Sequence, residues 1–128
     1  MSCNIRFLPP IPEGYRIWRG DLEVAGVRYR TTQALQFSRG KSQRIHFEPE
    51  PGNKHDPNAV KIIGSFYSWW MCWKRHIGYI DADVAKEYVE RKDKHLLLPR
   101  LRNIWVGGYH EIVIFIRYDI MEPKNKRK

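Results

Sequence analysis

Apolar and polar residues alternate with a period of two over several short stretches, and a helical period appears clearly once. Leu22-Glu23-Val24-Ala25-Gly26-Val27-Arg28-Tyr29 reads as the first strand, with Leu22, Val24 and Gly26 on one face and Glu23, Ala25 and Val27 on the other. Gly26 within it signals a bulge or the close approach of another backbone. Arg44 to Glu48 alternates as a second strand, beyond which Pro49 and Pro51 forbid a continuing ladder. Ala59 to Ile63 is a third strand, ended by Gly64, and the aromatic run Phe66 to Trp73 continues a hairpin into Ile77-Gly78-Tyr79-Ile80. Asp81 then suits a helix N-cap and Asp83 the first turn. Val84, Ala85, Tyr88 and Val89 follow at helical spacing, which predicts an amphipathic helix over 82–92. Leu96-Leu97-Leu98 reads as a short buried strand stopped by Pro99, and Ile112 to Tyr118 as the final strand, entered through Gly107-Gly108. Residues 30–42 read as a polar connector with one helical turn near Thr32. About six strands and one or two helices make a mainly β chain, expected to close as a small OB/SH3-like β-barrel. It divides into a Pro-rich, irregular segment over 1–20 anchored by Tyr15, Ile17 and Trp18, a barrel over 21–120, and a basic tail over 121–128.

Composition narrows the class. The chain has 128 residues, 42% hydrophobic, which suits one domain with its own core. The net charge is +9, and discounting Lys124, Lys126, Arg127 and Lys128 still leaves +5 on the body. Such an excess points to a polyanionic partner; the plain alternative is a soluble basic protein without a specific ligand. Cys3 and Cys72 form neither a disulfide framework nor a zinc set, and no stretch has the length and apolarity of a membrane helix or signal peptide. The expected setting is reducing and intracellular, cytoplasmic or nucleoid-associated, with no membrane, cofactor or small-molecule substrate. His46, His55, His76, His95 and His110 lack close ligand spacing, so no metal is expected.

The densest local chemistry lies in Glu50-Pro51-Gly52-Asn53-Lys54-His55-Asp56-Pro57-Asn58-Ala59-Val60-Lys61. With Val24-Ala25-Gly26-Val27-Arg28-Tyr29 before it and Ile77-Gly78-Tyr79-Ile80 after it, this stretch resembles the HIRAN domain family. That family's blocks run V-x-G-x-x-Y, then E-P-x-N-x-(aromatic or His)-D-x-N-A-V/I, then an I/V-G-Y/H turn into a helix. HIRAN modules occur in SNF2-type DNA translocases and as small stand-alone proteins, and this chain looks like a stand-alone member. The resemblance implies an OB-like barrel that captures the free 3′ end of single-stranded DNA. It places Arg28 and Tyr29 at phosphate- and base-contacting positions, His55 where a base would stack, Asp56 as acceptor of the 3′-hydroxyl and Asn53 as phosphate donor or loop former.

Charge alone adds Lys61, Lys74 and Arg75 as phosphate contacts. Structural readings stand beside these. Asp56 also suits a turn in which it binds only its own loop amides, Asn58 fits a turn before a strand, and Tyr29 fits a pocket and a core equally well. The aromatic run is partly core, with the remainder free to meet a partner. The leading reading is a nucleic-acid-binding module for single-stranded DNA or its ends, working with DNA-processing proteins. A protein-interaction adaptor using residues 65–73 is the alternative. A small nuclease built on His55 and Asp56 ranks third, because neighbouring side chains converge only if the loop bends, so no catalytic residue is assigned.

Overall fold

The computed structural model describes residues 2–124. The chain runs β1 (Cys3–Arg6), β2 (Tyr15–Glu23), a 3-10 turn (Val27–Arg30), α1 (Thr31–Arg39), β3 (Lys41–Pro49), β4 (Val60–Ser68), β5 (Met71–Tyr79), α2 (Ala82–Glu90), a second 3-10 turn (Lys94–Leu96), β6 (Leu98–Gly107) and β7 (Val113–Pro123). The strands form two antiparallel sheets, a four-stranded one in the order β1-β6-β7-β2 and a three-stranded one in the order β3-β4-β5. The mainly β reading therefore holds, with seven strands among the described residues where about six were expected.

The expected closed barrel is absent among the described residues. Among those residues the one bridge outside the two ladders is Ala25↔Tyr79, and β3 meets β6 without pairing. The cause lies at Gly26, whose φ of 76° turns the chain out of the ladder and into the 3-10 turn. The predicted strand over 22–29 consequently keeps only Leu22 and Glu23. That strand starts earlier instead, at Tyr15, within the stretch expected to be irregular, and Cys3–Arg6 forms an edge strand against β6.

The connector over 30–42 is a nine-residue helix that buries Ala34, Phe37 and Ser38. Its Phe37 ring lies on Gly64, where a Cβ would stand 2.7 Å from the ring. Gly64 therefore does not end β4; it admits the helix, and the strand continues to Ser68. α2 follows its prediction, two residues shorter, and Asp81 occupies the N-cap position without a side-chain capping bond. Pro99 is the second residue of β6 rather than a stop, outside the Asn103–Val106 stretch that pairs with β1. Met121–Pro123 of the expected tail belong to β7; residues 125–128 lie outside the described residues.

One core fills the space between the sheets. Ile62 and Ile77 come from the small sheet, Ile104, Ile116, Tyr118 and Ile120 from the large one, and Phe37, Ala85 and Tyr88 from the helices. The inner face of β3-β4-β5 is committed to this core, which leaves its outer face to solvent.

Candidate nucleic-acid interface

The loop between β3 and β4 is organised by Asn53. Its Oδ1 accepts the backbone N–H of His55 at 2.8 Å and of Asp56 at 3.0 Å, and its Nδ2 donates to Glu50 Oε1 at 2.8 Å. Asp56 Oδ1 in turn accepts the N–H of Asn58 at 2.9 Å, so the loop-forming role of Asp56 is present in the structure. Among the described residues no donor reaches its second oxygen. His55 is exposed and makes no side-chain bond to Asp56.

Glu50 connects this loop to the sheet. Its Oε1 also accepts the Tyr79 hydroxyl at 3.0 Å, and Lys61 Nζ stands 3.9 Å from Oε2. The bonds from Asn53 and Tyr79 hold the Glu50 carboxyl below its usual range. Burial, reinforced by Glu50, pushes the Tyr79 phenol up. The first block of the resemblance reaches the same place. Gly78 lets Val24 and Ala25 close on β5, since a Cβ there would lie 2.5 Å from Ala25 O. The turn that follows sets the Arg30 guanidinium 5.9 Å from the Tyr79 ring centroid. Arg28 and Tyr29 extend outward from that turn. Tyr29 is 77% exposed, which rules out the core reading. Arg28 lies 4.9 Å over its ring and donates to its hydroxyl at 2.7 Å.

The three-stranded sheet divides the remaining cations by parity. Across its outer face, Glu48, Lys61 and Tyr79 form one rung, His46, Ile63 and His76 the next, and Arg44, Ser65 and Lys74 a third. Lys61 and Lys74 thus share a surface. Arg75 does not: it turns to the opposite face, donates to Gln36 Oε1 of α1 at 2.8 Å and covers the Trp73 ring at 5.2 Å. Lys74 and Arg75, both expected from charge as phosphate contacts, therefore lie on opposite faces, because neighbouring strand residues point to opposite sides. Arg30, Arg44, His46, His76 and Tyr79 join the surface without having been singled out. Alternation within 44–48 and 74–76 was the available signal for Arg44, His46 and His76, whereas Tyr79 reaches this face through the register shift at Ile77. Partial burial, then Lys74 and Arg44, lowers the His46 pKa; burial, then Arg30, lowers that of His76.

A cleft of about 700 Å³ is lined by Arg28 and Tyr29 but also by Glu23, Asp81 and Glu111. Three carboxylates make it a poor seat for phosphate, which fits the outer sheet face better. The aromatic run splits in the same way: Phe66 is buried and Trp73 half-buried, whereas Tyr67, Trp69 and Trp70 are exposed. Among the described residues no cluster of His, Cys, Asp and Glu could hold a metal, and no helix is long and apolar enough to cross a membrane. Cys3 and Cys72 are free and exposed.

No curated protein and no solved structure matches the chain. The family comparison does find a match, the HIRAN domain, over residues 19–99, from within β2 to the start of β6. That span takes in the Gly26 turn, the Asn53 loop and the Tyr79 strand end. HIRAN domains are nucleic-acid-binding modules and not themselves catalytic. With most of its length inside that match, the chain belongs to the HIRAN domain family.

Proposed function

We propose that this chain captures the 3′ end of a single DNA strand. The terminal nucleotide sits between the Asn53–Asn58 loop and Tyr29, and the phosphates upstream of it cross the outer face of β3-β4-β5. The observation that carries the reading is the exposed Tyr29 ring, 77% accessible with a guanidinium over it. A large ring left in solvent, with a cation over one face, suits a base stacked on the other. Asp56 supports the reading further. One of its oxygens keeps the loop shut through Asn58, and the other is free to accept a hydroxyl proton. A 3′-hydroxyl satisfies that oxygen, and a 3′-phosphate is repelled by it.

Arg30, Lys61, Arg44 and Lys74 then supply sequence-independent affinity. The test is fluorescence anisotropy with a short 5′-labelled strand ending in a 3′-hydroxyl or a 3′-phosphate, and with an end-blocked duplex, at one fixed salt concentration. Preference for the free hydroxyl is expected. Equal binding to all three would reduce the surface to a generic basic one.

A further inference from the structure

The β4–β5 hairpin turns through Trp69 and Trp70 between the paired residues Ser68 and Met71. Both have positive φ, 56° and 66°, as a two-residue hairpin turn of this hand requires. Asn-Gly is the pair that accepts this conformation readily, and tryptophan is a poor choice for it. Nor does burial justify the choice, since Trp69 is 82% exposed and Trp70 96%. Two strained, solvated indoles hold a place that folding would give to other residues, and strain of this kind marks function.

The charge around the hairpin indicates what the indoles meet. Residues 24–47 and 57–80 contain eight Lys and Arg residues and no Asp or Glu. The carboxylates of this half of the molecule, Glu48, Glu50 and Asp56, all lie at the loop end of β4. At the hairpin end, Arg39, Lys41, Tyr67, Ser68, Trp69 and Trp70 line a cleft of about 610 Å³. Lys41 pairs with Tyr67, the next rung after Arg44, Ser65 and Lys74 on the outer face. The rungs therefore continue from the Asn53 loop to the tryptophans, about 26 Å along β4.

We infer that the tryptophan hairpin is a second single-strand-binding surface, on which nucleotides 5′ of the captured end stack against Trp69 and Trp70 while Arg39 and Lys41 take their phosphates. Aromatic rings with free faces and cations free of acidic partners are what a sequence-tolerant single-strand site combines. An acidic or apolar protein partner would not call for this continuity with the strand-end site. The inference rests on the proposed capture of a strand end, and its test separates the two.

Strands of 4 and 16 nucleotides with 3′-hydroxyl ends are titrated against the wild type and the Trp69→Asn/Trp70→Gly double variant. The substitution installs a preferred turn, so urea denaturation should show equal or greater stability. The wild type should bind the longer strand at least about tenfold tighter, given about 5- to 150-fold per stacked ring. The variant should bind the short strand normally and lose that gain. As a second variant, Arg39→Gln/Lys41→Gln should lower the salt slope for the longer strand alone, by about 1.4. A variant that keeps the full length dependence overturns the inference. So does one whose DNA binding is unchanged while its self-association or sedimentation shifts, which would assign the hairpin to protein contact. Loss of the length gain without any 3′-hydroxyl preference would sustain the hairpin and reject end capture.

Discussion

Asp56→Asn isolates end recognition from loop structure. Oδ1 of Asp56 is committed to the Asn58 N–H at 2.9 Å, and an asparagine carbonyl can take over that bond. The turn therefore stands, and unfolding free energy should stay within about 0.5 kcal/mol of wild type. What changes is the other position, where an acceptor becomes a donor. A 3′-hydroxyl donating to the carboxylate makes a charge-assisted bond of about 1.5–3 kcal/mol, and the amide donating back to the hydroxyl oxygen recovers about 0.5–1.5 kcal/mol. The net loss is about 1–1.5 kcal/mol, or about 5- to 13-fold in Kd. A 3′-phosphate end should gain instead, since a repelling charge has gone. The preference ratio should thus collapse toward one in the anisotropy assay, with the hydroxyl strand falling and the phosphate strand rising. Equal weakening of both strands would show that Asp56 merely shapes the loop, and an unchanged ratio would remove it from the site altogether.

Lys74→Ala should lower the magnitude of the salt slope for short single strands by about 0.7, from about 2.8 for four phosphates, whereas Arg75→Ala, bound to Gln36 on the other face, should leave it unchanged. Equal effects of the two would contradict the parity argument. Asp119 is fully buried, with Oδ2 at 2.9 Å from Arg100 and Oδ1 accepting the Asp21 N–H at 2.8 Å. Asp119→Asn should cost about 3 kcal/mol in urea denaturation, and a loss below about 1 kcal/mol would mean that the guanidinium groups had returned to water. Because burial and Arg30 lower the His76 pKa, its contribution to folding is complete above the unfolded value of about 6.5 and is lost as pH falls toward the folded one. DNA affinity should move the other way, strengthening as pH falls from 8 to 5.5, because a phosphate against that face favours the imidazolium; anisotropy that is flat with pH would place the strand elsewhere.

How much of the fold could be read depended on whether a strand keeps its period. β3 from Arg44 onward, beyond its own register shift, and α2 were visible because burial follows their pattern, as at Ile45 and Phe47 in β3 and at Ala85 and Tyr88 in α2. β2 and β6 were missed, and both carry register shifts. In β2 the pairing with β7 slips twice between Ile17 and Leu22, and in β6 it slips between Leu101 and Asn103. Each slip moves the following side chains to the other face, so no period of two survives in Arg16 to Gly20 or in Arg100 to Val106. Barrel closure was also beyond reach. It depended on whether Gly26 bulges within a ladder or leaves it, and both outcomes use the same residue.

For the site, sequence signals located the loop and the turn but not the residue that joins them. Asn53 and Asp56 stood out through turn chemistry, which acts over two or three residues, and Arg28 and Tyr29 through the resemblance to the HIRAN blocks. Tyr79 did not, because its role is long-range: it sits under Arg30 from one side and donates to Glu50 from the other. This connection gives the site a directional requirement. Glu50 and Tyr79 carry no charge suited to phosphate, so their value lies in fixing the loop relative to the Gly26 turn. With the loop fixed, the proposed capture sets Tyr29 and Asp56 on a single nucleotide at the acidic end of an otherwise basic surface. A chain of phosphates entering from the hairpin end meets cations until it reaches those carboxylates, and only a terminus that brings a hydroxyl rather than another phosphate can stop there favourably. The polarity of charge along β4 is therefore itself an argument for end binding, independent of any one contact.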